Sequence, residues 1–181
     1  LVPVILIYCN DKTVDIIDSP SESFRYLALG DSYTIGESVG ENERYPIELA
    51  NRLKADGMTV DTTIIIAKTG WRTDDLIKAI EGSGVEANFD IVSLLIGVNN
   101  QYQGKPIAQY EKEFPELLST AIKFAGGDTS RVFVISIPDY GFTPFGKSNQ
   151  EKISADLDIY NNINKTLTTD LGISWFDITP I

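Results

Sequence analysis

The amino-acid sequence is 181 residues long, with 43% hydrophobic and 23% charged residues, a mixture typical of one globular domain and not of a disordered or fibrous chain. Its formal net charge is −11, and its lysines and arginines form no run, so we exclude a nucleic-acid partner. One cysteine and no histidine exclude an internal disulfide framework, and we expect no metal site.

The first 23 residues differ in character from the rest of the chain. They begin with the apolar run LVPVILIYC, too short to span a bilayer, and continue with the polar stretch NDKTVDIIDSPSES. We interpret residues 1–23 as a truncated signal or lipoprotein leader and linker, with Cys9 at the processing site, although Tyr8 is larger than the residues preferred there. This predicts an exported bacterial lipoprotein, periplasmic or on the outer surface, tethered through Cys9; the alternative is a stray apolar terminus or an extra strand.

From residue 24 onward, short apolar runs alternate with longer amphipathic segments. The pattern predicts strands over residues 24–30, 60–67, 90–97, 131–138 and 173–178, and helices over 44–57, 73–82, 107–127 and 150–172. We expect Thr73 to cap the second helix and Pro115 to kink or break the third. Alternating strands and helices predict an α/β fold, a three-layer α/β/α sandwich with a doubly wound, parallel, five-stranded, flavodoxin-like sheet.

Ligands of such folds bind at the carboxyl ends of the strands, which here selects four loops: residues 30–42, 68–73, 97–106 and 138–149. The first loop contains the triplet GDS, in which Ser32 is either a nucleophile or a turn residue. The second contains Gly70, whose N–H can point at an anion, and the third contains Asn99 and Asn100, whose amides can donate. Each signal is weak alone. If two backbone N–H groups and one side-chain amide lie close to a serine hydroxyl, however, they form an oxyanion hole for acyl transfer.

These loops resemble the sequence blocks of the SGNH, or GDSL-type, hydrolases. LGDSYTIG resembles the first block and implies Ser32 as nucleophile, while KTGWRTDDL resembles the second and implies Gly70 as an oxyanion donor. LLIGVNN resembles the third and implies Asn99 as the amide donor, with Asn100 where the family usually has aspartate. The resemblance covers about residues 24–181. It implies a serine esterase or lipase that needs no cofactor and acts on a small-molecule ester, an acylated lipid or an acetylated sugar.

The family's last block, Asp-x-x-His, is absent, and the sequence contains no histidine. We therefore expect residues 24–181 to be a C-terminally incomplete hydrolase domain, inactive or nearly so because the general base is missing. Aromatic residues in the strand-end loops either line an apolar substrate pocket or pack the loops together. They are Trp71, Tyr102 and Tyr140, with Phe142 and Phe145.

Two functions of other classes stay open. A flavodoxin-like module would hold a flavin phosphate with Ser32, Thr34 and Ser38, but its glycine stands one position late, and Gly70 and Asn99 would have no role. A protein that binds an ester or a sugar without cleaving it would agree with the missing histidine.

Overall fold

The structure is a computed structural model that describes residues 23–179. The leader and linker predicted for residues 1–23, including Cys9, therefore lie outside the described residues except for Ser23. Within the described part of the chain, no helix combines the length and apolar character needed to cross a membrane.

Five parallel strands form one sheet in the order β2-β1-β3-β4-β5. The strands are β1 (Ser23–Gly30), β2 (Thr59–Ala67), β3 (Ile91–Leu95), β4 (Val132–Ile135) and β5 (Ser174–Phe176). All five lie where the apolar runs predict them. The strand order reverses between β1 and β3, which is the switch point of a doubly wound sheet. The predicted fold class is confirmed.

Helices cover both faces of the sheet. They are α1 (Ser32–Ile35), α2 (Tyr45–Ala55), α3 (Thr73–Gly82), α4 (Val98–Tyr102), α5 (Ile107–Phe124) and α6 (Gln150–Asp170). α3, α5 and α6 pack in series, whereas α2 packs against β2. Right-handed crossovers explain this division. The β1-to-β2 connection runs toward the β2 edge of the sheet, whereas the later connections run toward the β5 edge, so α2 lies on one face and α3, α5 and α6 lie on the other.

Two local predictions about the helices need correction. Thr73 is not the N-cap of α3 but its first residue; the cap is Arg72, whose backbone N–H donates to the Asp75 carboxylate at 3.1 Å. Pro115 lies inside α5, and residues 107–124 form one helix, so of the two expectations for this residue, a kink or a break, the break is excluded. The short helices α1 and α4 were not predicted, because four or five residues show no helical periodicity.

The hydrophobic core lies between the sheet and the helices α3, α5 and α6. It includes the fully buried side chains Leu27, Leu29, Val92, Leu94, Leu76, Phe114 and Leu117. Burying a large apolar side chain stabilises the folded state by roughly 1.5–3 kcal/mol. This packing fixes the strand ends, and with them the points from which the functional loops leave the sheet.

Candidate active site

The register of the three central strands brings three of the predicted loops together. Gly30, at the end of β1, pairs with Ala67 at the end of β2 on one side and with Leu95 at the end of β3 on the other. The loops that follow these three strands therefore leave the same edge of the sheet side by side.

Ser32 begins α1, two residues after the last residue of β1. Asp31 caps this helix, because its Oδ1 accepts a hydrogen bond from the Tyr33 backbone N–H at 3.1 Å. The helix ends after one turn at Gly36, which is in the left-handed conformation (φ 72°). Strand end and cap thus fix the position of Ser32 from both sides.

Position 30 requires glycine because neighbouring atoms leave no room for a Cβ, and not because its φ is positive. A Cβ at this position would lie 2.0 Å from Thr34 Oγ1 and 2.4 Å from the Leu95 carbonyl oxygen. The same approach leaves Thr34 fully buried. Of the three hydroxyls that a flavin-phosphate site would need, that of Thr34 is therefore inaccessible to a ligand.

Gly70 lies in the turn between β2 and α3, where the Trp71 N–H donates to the Lys68 carbonyl at 3.2 Å. Its φ is +84°, and no atom lies within 4 Å of where a Cβ would be. Glycine is therefore needed for its backbone conformation rather than for space. Gln103 Nε2 donates to the Gly70 carbonyl at 3.0 Å, which ties this turn to the loop after β3.

Asn99 lies in α4, directly after β3, and its amide is oriented by the neighbouring loop. Nδ2 donates to the Trp71 carbonyl oxygen at 2.9 Å. This bond uses one of the two amide N–H groups and fixes the plane of the amide. The other N–H has no hydrogen-bond partner among residues 23–179, so it is free to bind a ligand atom.

Ser32 and Asn99 line the same open groove, which has a volume of about 930 Å³. Its other lining residues are Tyr33, Gly36, Glu37, Ser38, Val39, Glu43, Arg44, Tyr45, Thr69, Val98, Tyr102, Tyr140, Thr143 and Phe145. The structure thus places two of the three predicted catalytic residues in one groove.

The remaining predicted site residues divide between the groove and the rest of the molecule. Gly70 does not itself line the groove in the described structure, although the adjacent Thr69 does. Tyr102 and Tyr140 form part of the groove wall, whereas Trp71 packs against the hydrophobic core. The described residues contain no cluster of carboxylate and cysteine side chains that could hold a metal ion.

Asp31 is a fully buried carboxyl group with no cationic partner within residues 23–179. Desolvation raises its pKa to about 7, against the lowering effect of the hydrogen bond from the Tyr33 N–H. Its Oδ2 has no hydrogen-bond partner among the described residues. Burial chiefly, and the negative charge of Asp31 in addition, raise the pKa values of the Tyr33, Tyr45 and Tyr110 phenols. The loop that presents Ser32 is therefore built around an acid that is half ionised near neutral pH.

Asn100, beside the predicted amide donor, joins the loop after β3 to the start of α3. Its side chain is fully buried, its Oδ1 accepts from the Thr73 N–H at 3.1 Å, and its Nδ2 donates to Thr73 Oγ1 at 2.7 Å. The Thr73 hydroxyl in turn donates to the Glu113 carboxylate. The sequence suggested Asn100 only as an alternative amide donor to Asn99, whereas the structure shows its amide bonded to Thr73, and its departure from the family's aspartate was the signal for that different role.

These contacts explain why an amide occupies position 100. The one hydroxyl proton of Thr73 already goes to Glu113, so Thr73 Oγ1 needs a donor from Asn100, which a carboxylate cannot supply. We expect Asn100→Asp to lower the free energy of unfolding by about 1–3 kcal/mol at pH 7. Urea unfolding measures this change.

The matching substitution should compensate. In Asn100→Asp combined with Glu113→Gln, the donor and the acceptor exchange sides, and we expect a favourable coupling energy of about 1 kcal/mol or more. Glu116→Gln, at an exposed position of the same helix, is the control and should show no coupling. Additive effects of Asn100→Asp and Glu113→Gln would contradict this account of position 100.

The burial of Asp31 predicts how stability depends on pH. Its pKa is raised in the folded state, so the folded protein binds this proton more tightly and loses stability as pH rises from about 4 to about 7. Asp31→Asn keeps an oxygen for the Tyr33 N–H and removes the ionisation. We expect its stability relative to the wild type to rise over that range, by on the order of 4 kcal/mol.

Urea unfolding at a series of pH values measures this difference. Asp158→Asn, at an exposed position on α6, removes the same charge without burial and should follow the wild-type curve. Parallel curves for Asp31→Asn and the wild type would show that the Asp31 carboxyl has an ordinary pKa.

Comparison with known proteins agrees with this geometry. The structure resembles an extracellular lipase from Streptomyces rimosus, with 19% identity, a TM-score of 0.65, and coverage of 87% of this chain and 81% of that chain. It resembles the psychrotrophic esterase EstA from Pseudoalteromonas sp., with 12% identity, a TM-score of 0.64, and coverage of 86% and 77%. Phospholipase A1 from Streptomyces albidoflavus NA297 shows 20% identity, a TM-score of 0.63, and coverage of 84% and 78%.

At these identities, the structural matches establish a shared fold. No curated protein matches the chain. The model of the GDSL-like lipase/acylhydrolase family matches residues 28–181, which include all three loops at the sheet edge. The chain therefore belongs to the GDSL-like lipase/acylhydrolase family.

Proposed function

We propose that this protein hydrolyses carboxylic esters, with Ser32 as the nucleophile and with Gly70 and Asn99 as oxyanion donors. The observation that carries the proposal is that Ser32 and the partly free amide of Asn99 line one groove at the sheet edge. Family membership supports ester chemistry at this place.

In the proposed reaction, Ser32 Oγ attacks the carbonyl carbon of the ester while a general base takes the hydroxyl proton. The carbonyl oxygen becomes an oxyanion in the tetrahedral intermediate. The intermediate then expels the alcohol, which takes the proton from the base, and leaves the acyl group on Ser32. A water molecule, deprotonated by the same base, attacks the acyl-enzyme and releases the acid.

The oxyanion would be held by three donors that are fixed before substrate binds. They are the backbone N–H groups of Ser32 and Gly70 and the N–H of Asn99 that does not bond to Trp71. Donors held in place by the fold cost no reorganisation during the reaction, and losing one typically lowers the rate by about 10²–10³-fold. The hydrogen bond to Trp71 supplies this preorganisation for Asn99.

The reaction needs a general base, and no histidine of these 181 residues can supply it, since the sequence contains none. Asp31 is adjacent to Ser32, but its carboxyl is fully buried and its Oδ1 caps the helix through Tyr33. We therefore propose that the 181 residues alone turn over esters slowly or not at all, because a serine hydroxyl without a base is a weak nucleophile.

The groove favours an ester with an apolar part as substrate. Three aromatic side chains, Tyr102, Tyr140 and Phe145, form one side of it, and Val39, Tyr45 and Val98 add further apolar surface. Apolar walls with a few directed polar groups are typical of small-molecule sites. We propose a small-molecule ester or an acylated lipid or sugar, with the acyl group in this groove.

The role of Ser32 is tested with p-nitrophenyl acetate and the protein expressed from its full open reading frame. We expect Ser32→Ala to lower kcat/KM by about 10⁴-fold or more, and Asn99→Ala by about 10²–10³-fold. The 181-residue chain should give a rate near that of Ser32→Ala.

Ser119→Ala, at an exposed position on α5, is the control and should retain full activity. Equal turnover by the wild type and Ser32→Ala would remove Ser32 from the proposed role. Tight binding of an ester without release of product would instead support a protein that binds without cleaving.

We also propose that the protein is exported and tethered to a membrane through Cys9. The support is the apolar run before Cys9 and the polar stretch after it. Expressed with its native N-terminal sequence in a bacterium fed labelled palmitate, the protein should incorporate label, and Cys9→Ser should not. Equal label in both proteins, or none in the wild type, would contradict lipidation at Cys9.

A further inference from the structure

A second cavity lies beside the Ser32 groove, on the side of α6, and the proposed reaction does not use it. Its volume is about 660 Å³, within the usual range of small-molecule sites, roughly 300–1,000 Å³. Its lining includes Gln101, Tyr102, Tyr140, Phe145, Lys152 and Asp156.

Three aromatic rings form a wall common to the groove and the cavity. Tyr102, Tyr140 and Phe145 line both spaces, and their ring centroids lie 5.9–6.3 Å apart. Tyr102 is 55% exposed and Phe145 is 71% exposed, so their rings are accessible to a ligand. A molecule bound across this wall would have one part beside Ser32 and another in the second cavity.

The cavity also contains a chain of hydrogen bonds between polar side chains. The Tyr140 hydroxyl donates to Gln101 Oε1 at 2.8 Å, Gln101 Nε2 donates to Asp156 Oδ2 at 3.0 Å, and Lys152 Nζ donates to the same oxygen at 2.6 Å. These bonds hold the side chains in place but leave some of their hydrogen-bond donors and acceptors without a partner. A second N–H of Gln101, two N–H groups of Lys152 and Asp156 Oδ1 can each take a further partner.

From this combination we infer that the second cavity binds a neutral sugar, the alcohol half of the ester whose acyl half lies in the Ser32 groove. A sugar ring presents hydroxyl groups around its edge and C–H bonds on its faces. The hydroxyls match the donors and acceptors of Gln101, Lys152 and Asp156, and the C–H faces match the aromatic wall, since an aromatic face carries partial negative charge. The inference rests on the proposed function only in naming the sugar as part of an ester.

The polar chain within the cavity favours a neutral ligand over an anion. Lys152 and Asp156 form an ion pair at 2.6 Å, so the polar chain carries no net charge. Lys105, which is half-buried, also lines the cavity and brings the formal charge of the lining to +1. An alkyl group is also a poorer match than a sugar for these polar side chains. It would displace water from the ion pair without replacing the hydrogen bonds that the water made.

The test is a titration of the 181-residue protein with methyl β-D-xylopyranoside, followed by ¹H–¹⁵N NMR of the side-chain amides. Gln101 reports on the cavity, and Asn99 reports on the Ser32 groove. We expect the glycoside to shift the Gln101 signal and to leave that of Asn99 unchanged. 1-Hexanol serves as the apolar probe and should not shift Gln101.

Two variants test the polar chain. Asp156→Asn removes the charged acceptor, and we expect it to weaken glycoside binding about tenfold or more. Asp158→Asn, two residues away on an exposed position, removes the same charge outside the cavity and should change the affinity by less than about twofold. If Asp156→Asn fails to fold, Tyr140→Phe, which deletes only the hydroxyl that donates to Gln101, should also weaken binding.

Three results would overturn the inference. They are no shift at Gln101 up to about 100 mM glycoside, a concentration that would reveal even binding far weaker than millimolar, a shift at Gln101 with hexanol but not with the glycoside, or equal weakening by Asp156→Asn and Asp158→Asn. The titration measures binding and needs no turnover. Its failure is therefore distinguishable from a failure of Ser32 as nucleophile, which would leave glycoside binding intact.

Discussion

The candidate site depends on the parallel pairing of β1 between β2 and β3. Because Gly30 pairs with Ala67 and with Leu95, three loops from distant parts of the sequence start within two strand spacings of one another. A register shift of one residue would also turn the buried side chains of β1, Leu27 and Leu29, to the other face, so the core holds the register. The position of the site is thus maintained by the packing of the whole domain.

Hydrogen bonds between the loops complete what the strand pairing begins. The loop after β3 holds the turn after β2 at three points: Asn99 donates to the Trp71 carbonyl, Asn100 bonds twice to Thr73, and Gln103 donates to the Gly70 carbonyl. These bonds make two loops into one rigid unit, in which the positive φ of Gly70 and the plane of the Asn99 amide are set together. The β1 loop is built around the cap that Asp31 provides, and it joins the turn after β2 where the Thr69 hydroxyl donates to the Glu37 carboxylate.

The sequence predicted the sheet well because short apolar runs bounded by turn residues are local signals. It also placed Ser32 and Asn99 at the strand ends, where the structure has them in one groove. It could not predict the partners of Asn100, since Thr73 and Glu113 lie 27 and 13 residues away and a buried amide has no periodicity. The wrong cap at Thr73 has the same cause: a threonine before a helix is a good local cap, but here a tertiary contact takes its hydroxyl.

The sequence singled out the three rings of the wall but could not predict a second cavity, because its wall and its polar chain come from α4, the loop after β4 and α6. Tyr102 and Tyr140 are 38 positions apart, yet their rings meet edge to face at 6.1 Å. Such aromatic pairs contribute about 0.5–1.5 kcal/mol beyond the area they bury, so three of them can stabilise a wall that is exposed to solvent. Ring contacts within the wall keep apolar surface at the mouth of the groove, where a ligand could cover it, and Tyr140 anchors this wall to the core.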